Sequence, residues 1–504
     1  MPADEKNVDS TTHPDLFMEK HRPQLHFSSP TNWLNDPNGL VWHNGVFHLF
    51  YQYNPTGNTW GNMHWGHAVS RNLFDWDVRP IALYAQPWGV GFMFSGCAVV
   101  DQDNSAGLAQ PGDTPLVAIY TNCTTEGIQA QSIAYSADQG ETWTQYEGNP
   151  VLANPGIRDF RDPKVFWHAP SVSWVMTLAV HDHVEFYTSK NLRDWRQSFR
   201  FARPGGSEAG GVWECPDLFA LRAPNGETKW ILVVSVSPEN SSRDESIQYF
   251  VGDFDGVRFE PQHLRNLWLD HGADNYAAVS WEGIPAGDGR RIIIGWMNSW
   301  RYAKEVPTYP WSGHMTLPRE LALVNGQDGY ELATVPAREI EQLRVRTIDI
   351  PMAPAGSSKH EKLLGAVLPE LLDIELQFAW KKGQARAFSV SFENQAGEKA
   401  IISVDIDANL LIVDRTSVGQ RVPNPKLAGR FSAPLHSLGE LLDLRIVKDR
   451  ASVEVFADQG RSVISANLFF DSPFDRVVVF GEGEVDAGGR ASILRSIWHD
   501  RQPG

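Results

Sequence analysis

Up to about residue 335 the chain alternates short runs of β-branched and aromatic residues with turns rich in Gly, Pro, Asn and Asp. The runs VFHLFYQYN (46–54), PLVAIYT (115–121), SWVMTLAV (173–180), KWILVVSVS (229–237) and RRIIIGWM (290–297) have strand length and lack helical periodicity. Residues 337–345 (AREIEQLRV) read as a short connecting helix. Beyond them, LDIELQFAW (372–380), AFSVSFEN (387–394), ISVDIDANLLIVDR (402–415), LDLRIVKDRASVEVFAD (442–458) and SVISANLFF (462–470) alternate apolar and polar positions with period two. That pattern predicts a β-sandwich.

One local pattern recurs. Ser70-Arg71-Asn72-Leu73-Phe74-Asp75-Trp76 reappears as Ser189-Lys190-Asn191-Leu192-Arg193-Asp194-Trp195. Ser136-Ala137-Asp138-Gln139-Gly140-Glu141-Thr142-Trp143 is a variant, and residues 252–259 are a weaker copy. In chain order the copies are offset by 66, 53 and 63 residues. Each reads as a polar turn delivering an aromatic residue into the outer strand of a small sheet. Several short strands per unit of roughly 60–65 residues mark a β-propeller, and the first 335 residues hold about five such blades. The expected architecture is all-β: a five-bladed propeller over residues 1–335, a linker at 336–346 and a β-sandwich over 347–504.

The 504 residues suffice for such a division. The 19 Trp and 25 Phe suit β structure and stacking on sugar rings. A formal net charge of −17 argues against nucleic-acid or anionic-membrane surfaces, and no run of about 18 apolar residues predicts a membrane span. Three cysteines, at 97, 123 and 215, cannot all pair and show no metal-ligand spacing, which fits a reducing compartment. The start, MPADEKNVDSTTHPDLF, has no apolar leader core, so a cytoplasmic location is expected, or secretion if a leader has been removed. Asn122-Cys123-Thr124 and Asn240-Ser241-Ser242 are formal glycosylation sequons that matter only on a secretory route.

Three segments place a carboxylate beside a proline: Asn35-Asp36-Pro37-Asn38-Gly39, Arg161-Asp162-Pro163 and Glu214-Cys215-Pro216-Asp217. Proline keeps the preceding residue out of the helical region, so Asp36 and Asp162 are expected in extended backbone. The acids are 126 and 52 residues apart, about two repeats and one. Acids at equivalent places in different blades converge on the propeller axis. Aromatic residues flank all three, and fixed acids among rings suit proton donation and cation stabilisation on a neutral sugar. Arg161 adjoins Asp162 and is expected to keep it ionised. Gly205, Gly206, Gly210 and Gly211 precede Glu214 without the Gly-Lys-Ser/Thr ending of a phosphate loop, which disfavours nucleotides. His64, His67, His181 and His183 lack a completing ligand at metal spacing, so ring hydrogen bonding is expected, with no metal or other cofactor. Ser95 lacks the Gly-x-Ser-x-Gly frame of a nucleophile and reads as a partner for a sugar hydroxyl.

These motifs resemble the signature set of family 32 glycoside hydrolases, the β-fructofuranosidases that include invertases, exo-inulinases and levanases. The resemblance rests on WLNDPNG (33–39), FSG (94–96), FRDP (160–163), WECPD (213–217), DHGADNYA (270–277), GWM (295–297), MTLPRE (315–320) and VKDRASVEVF (447–456). It implies a catalytic five-bladed propeller followed by a sandwich, and release of terminal β-fructofuranosyl units from sucrose or fructans with retention. It also implies roles. Asp36 is the nucleophile, Glu214 the general acid and base, and Asp162 the transition-state stabiliser. Asn35, Gln52, Trp60, Phe94, Ser95, Arg161, Tyr276 and Trp296 line the sugar pocket. Leu34, Cys97 and Asn275 depart from the commoner Met, Ser and Phe, but no acid is altered.

Two-step displacement needs one carboxylate ionised and the other protonated. Asp36 is expected to keep a low pKa through hydrogen bonds and Glu214 a raised one through burial and the neighbouring charge, about 5–5.5 Å away. A fructosyltransferase would use the same acids. An inverting arabinan hydrolase shares two Asp and one Glu but not the WLNDPNG run, and a sugar-binding propeller has no need of all three acids with Arg161. The implied partners are sucrose and fructans, without nucleic acid or membrane. The sandwich edges are candidates for self-association.

Overall fold

Five antiparallel sheets succeed one another, and their innermost strands touch in a closed ring. These strands are Asn32–His43, Phe92–Val100, Phe160–His168, Val212–Arg222 and Tyr276–Ser280, the last returning to the first. The computed structural model describes residues 16–203, 211–237, 245–356, 369–419, 424–436 and 439–498. The sheets form the five-bladed propeller that the repeat predicts. In each blade the strands run outwards from the axis in chain order. Trp311–Ser312 leaves the fifth blade and pairs in parallel with Asn32 and Trp33, tying the ends of the ring. Because every blade packs between two neighbours, strands such as Leu116–Cys123 and Ser173–Val180 are buried along their whole length. That explains their continuous apolar sequence.

The recurring turn has one construction in its two closest copies. The side-chain oxygen of Asn72 accepts from the backbone N–H groups of Phe74 and Asp75, and its amide donates to Asp75. Asn191 repeats these bonds with Arg193 and Asp194. Leu73 and Leu192 take left-handed backbone at φ 67° and 59°. Such self-bonded Asx turns join the third and fourth strands, and Trp76 or Trp195 follows as a packing anchor.

The C-terminal sheet has nine strands. Leu372–Glu393 pairs with Leu441–Asp449 through its first half and with Lys399–Asp405 through its second. Its ladder to Arg476–Leu494 breaks between Trp380 and Ala387, so one bent strand serves both layers of a sandwich. A 3-10 turn, Arg338–Leu343, connects propeller to sandwich and buries Ile340 and Leu343. Among the described residues no helix is long and apolar enough to cross a membrane.

Candidate active site

In each blade the innermost strand carries one extra residue near its start, so two residues oppose one on the second strand. The pairs are Asn35-Asp36 opposite Gln52, Phe94-Ser95 opposite Thr121, Asp162-Pro163 opposite Leu178, Cys215-Pro216 opposite Val234, and Ala277-Ala278 opposite Gly295. A bulge interrupts strict alternation and re-aims neighbouring side chains. All five bulges lie at the same mouth of the propeller. The acids do not occupy equivalent places, as their spacing suggested. Glu214 stands just before its bulge, Asp162 is the first bulged residue and Asp36 the second. The extra residue lets successive positions face the axis together. Extended backbone at Asp162 is also overturned: its φ is +63°, with Cys215 at +46° and Ala277 at +53°. Proline excludes the right-handed helical region, and the bulge selects the left-handed one.

These positions bring the acids into one cluster. Asp36 accepts from Ser95 Oγ at 2.6 Å and Asn35 Nδ2 at 3.0 Å, and Asn35 is held by Trp33 Nε1 at 2.7 Å. The Cys215 thiol lies 3.7 Å from an oxygen of Asp36 and 3.7 Å from one of Asp162. The Cys215 N–H donates to Asp162 at 3.1 Å, and Asp162's own N–H donates to Thr121. Glu214 Oε1 accepts from Arg161 Nη2 at 2.8 Å and Nε at 3.2 Å, while Oε2 accepts from the Tyr276 hydroxyl. Arg161 is steered from behind by Asp159 at 2.6 Å. Its close partners are thus Glu214 and Asp159; Asp162 lies at 3.9 Å.

The remaining predicted residues divide by exposure. Gln52 is buried and donates to the Met93 carbonyl, and Trp60 packs edge-on against Phe94 at 5.9 Å with its other side in solvent. Trp296 is fully buried behind the site, 5.8 Å from Trp33 and 4.8 Å from Trp300, so it supports the pocket instead of meeting solvent. The histidines make ring hydrogen bonds, His67 with His48, His64 with the Asn62 carbonyl, His181 with Asp159 and His183 with Asp182. Asn122 of the first sequon is buried between Ser132 and the Val90 carbonyl. The second sequon, Gly205, Gly206 and Gly210 lie outside the described residues. Asp159 and Cys215 received no role from sequence. Asp159 stands two residues before Arg161, just ahead of the strand that begins at Phe160, and carries no motif of its own.

Burial, the largest influence, raises the Asp36 carboxyl above its ordinary value. The Glu214 charge adds to this, and the Ser95 and Asn35 hydrogen bonds only partly offset it. The expected low value is therefore corrected: crowding at the pocket floor outweighs two good donors. Burial likewise raises Asp162, to about 7, against the pull of Arg161 and with the charges of Glu214 and Asp36. Its folded pKa exceeds its unfolded one, so the native state holds the extra proton and stability falls as pH rises from about 4 to about 7. Asp162→Asn is expected to flatten that slope, raising the melting temperature at pH 7.5 by about 2 °C per kcal/mol regained while turnover drops. Melts at pH 4.5 and 7.5 check it; an unchanged slope counts against the assignment.

Comparison with known proteins decides the family. The N-terminal domain of glycosyl hydrolases family 32 matches residues 26–336, and its C-terminal domain matches residues 339–497. The chain belongs to glycosyl hydrolase family 32. It is 46% identical to a levanase of Bacillus subtilis over 89% of this chain and 66% of the levanase. The crystal structure of an exo-inulinase from Aspergillus awamori superposes with a TM-score of 0.86 at 33% identity, covering 96% of this chain and all of that one. A β-fructofuranosidase from Schwanniomyces occidentalis, complexed with fructosyl-erythritol, gives 0.84 at 26% identity, covering 95% and 98%. The family 32 chain is a glycoside hydrolase, with its acids at one end of a propeller.

Proposed function

We propose that the enzyme releases terminal β-fructofuranosyl units from sucrose and fructans by double displacement. The observation that carries this reading is the joint placement of Asp36, Asp162 and Glu214 around the Cys215 thiol, with Glu214 held by Arg161 and Tyr276. The names of the similar proteins, levanase, exo-inulinase and β-fructofuranosidase, support the substrate class.

In this mechanism Asp36, oriented by Ser95 and Asn35, attacks the anomeric carbon. Glu214 protonates the departing oxygen and afterwards takes a proton from water, which displaces Asp36. Asp162, fixed by the Cys215 N–H, accepts from ring hydroxyls as positive charge develops at the anomeric centre. Proton NMR during the first minutes of sucrose cleavage tests the reading. β-Fructofuranose is expected before it mutarotates. First-formed α anomer would mean inversion, and no cleavage of any fructofuranoside would remove the proposal.

A further inference from the structure

The chain hides most of its tryptophan, and Trp33, Trp65, Trp213, Trp281, Trp296, Trp311 and Trp498 are fully buried. Trp88 does the opposite: its side chain is 100% exposed. It sits at the tip of a hairpin, residues 84–91, joining the outer strand of the first blade, Asp77–Leu83, to the innermost strand of the second. The hairpin starts at the mouth that holds the acids. Ser95, four residues past its end, donates to Asp36, and Asn122 beside that bulge donates to the Val90 carbonyl at 3.0 Å. At its other end Tyr84 packs edge-on against His64, close in sequence to Trp60.

The neck of this hairpin is closed. Gln86 N–H donates to the Gly91 carbonyl at 2.8 Å and Gly91 N–H returns to Gln86 at 2.9 Å. Gly91, at φ +96°, lies so close to the Cys123 carbonyl that an added Cβ would come within 1.9 Å of it. The clamp fixes the backbone of the loop, which carries a bare indole at the same mouth as the half-exposed Trp60 and Phe94 pair. A Trp ring on a fixed backbone has only two side-chain torsions to order when a sugar ring stacks on it, and its apolar surface is otherwise spent on water.

Resting on the fructosidase reading above, we propose that Trp88 is a platform for fructan residues beyond the first ring of the leaving group. Continuity with the acid-bearing pocket argues for the substrate chain as occupant. Trp60 and Phe94, nearer the acids, are left to the first rings, so Trp88 discriminates by chain length. On this reading a disaccharide, which ends at the first ring of the leaving group, makes no use of it.

Steady-state kinetics of Trp88→Ala on sucrose and on fructo-oligosaccharides of four or more units test this. On sucrose kcat/KM is expected to stay within twofold. On the oligosaccharides it falls about tenfold, carried by KM with kcat nearly unchanged, and Trp88→Tyr restores most of it. An equal loss on both substrates, or unchanged oligosaccharide kinetics, overturns the proposal, and an unaltered melting temperature separates either from misfolding. If wild-type enzyme cleaves no fructofuranoside, the functional reading fails instead, which is a different result from an active wild type with an indifferent Trp88→Ala.

Discussion

Replacing Asp36 with Ala is expected to lower kcat on sucrose by about 10⁴-fold or more, with a far smaller change in KM. No neighbouring group can take over the attack. The carboxylate of Asp162 is tied to the Cys215 N–H, and that of Glu214 to Arg161 and Tyr276. Moving either toward the anomeric carbon would break hydrogen bonds that fix the rest of the cluster. The variant should also fold well. Burial already disfavours the Asp36 charge, and its removal relieves repulsion with Glu214. A melting temperature at or above that of wild type would therefore accompany the lost turnover. Near-normal turnover in the variant would mean that bond cleavage does not run through Asp36.

The blade count was readable because it rests on local chemistry. An Asn or Asp that bonds its own backbone writes the same turn at Asn72 and Asn191. An aromatic anchor follows each time. The convergence of Asp36, Asp162 and Glu214 was readable from the repeat frame, but their phasing was not. A bulge adds one residue without a compositional signature, and the five bulged pairs share no common motif, though two of them end in proline. The proline rule failed at Asp162 for the same reason, since it names an excluded region and the strand pairing chooses among the others. The low pKa expected for Asp36 failed because hydrogen-bond donors are visible in sequence while packing around a carboxylate is not. Trp296 shows the same limit: its match to a pocket position does not say whether the ring meets solvent or stands behind Trp33.

The motifs at 270–277, 315–320 and 447–456, which hold none of the acids, meet at a buried ionic cluster between propeller and sandwich. Arg319 donates to Glu454 at 2.6 and 2.9 Å and to Asp270 at 2.9 Å, and all three side chains are buried. His26 lies between Asp449 at 2.7 Å and Glu454 at 3.0 Å. Arg319→Met is expected to destabilise the protein by about 3–5 kcal/mol, because it leaves two buried carboxylates short of their cation while a hydrophobic side chain replaces none of their bonds. Burial alone would lower the His26 pKa, but hydrogen bonds and charge from Asp449 and Glu454 raise it to about 9. Its contribution is therefore complete below about pH 6.5 and is lost as pH rises to about 9. Chemical denaturation of wild type and Arg319→Met from pH 6 to 9.5 checks both statements. Wild type should weaken across that window, and His26→Gln should remove the slope. A loss below about 1 kcal/mol in Arg319→Met, the size seen for exposed ion pairs, would show that the two layers do not depend on this cluster. Its position gives the dependence a functional side: Asp270 and Asp274 lie in the segment that leads into Tyr276, and the sandwich residues Ser465, Asn467 and Arg415 hold both carboxylates. The sandwich thereby braces the strand that brings a hydroxyl to Glu214.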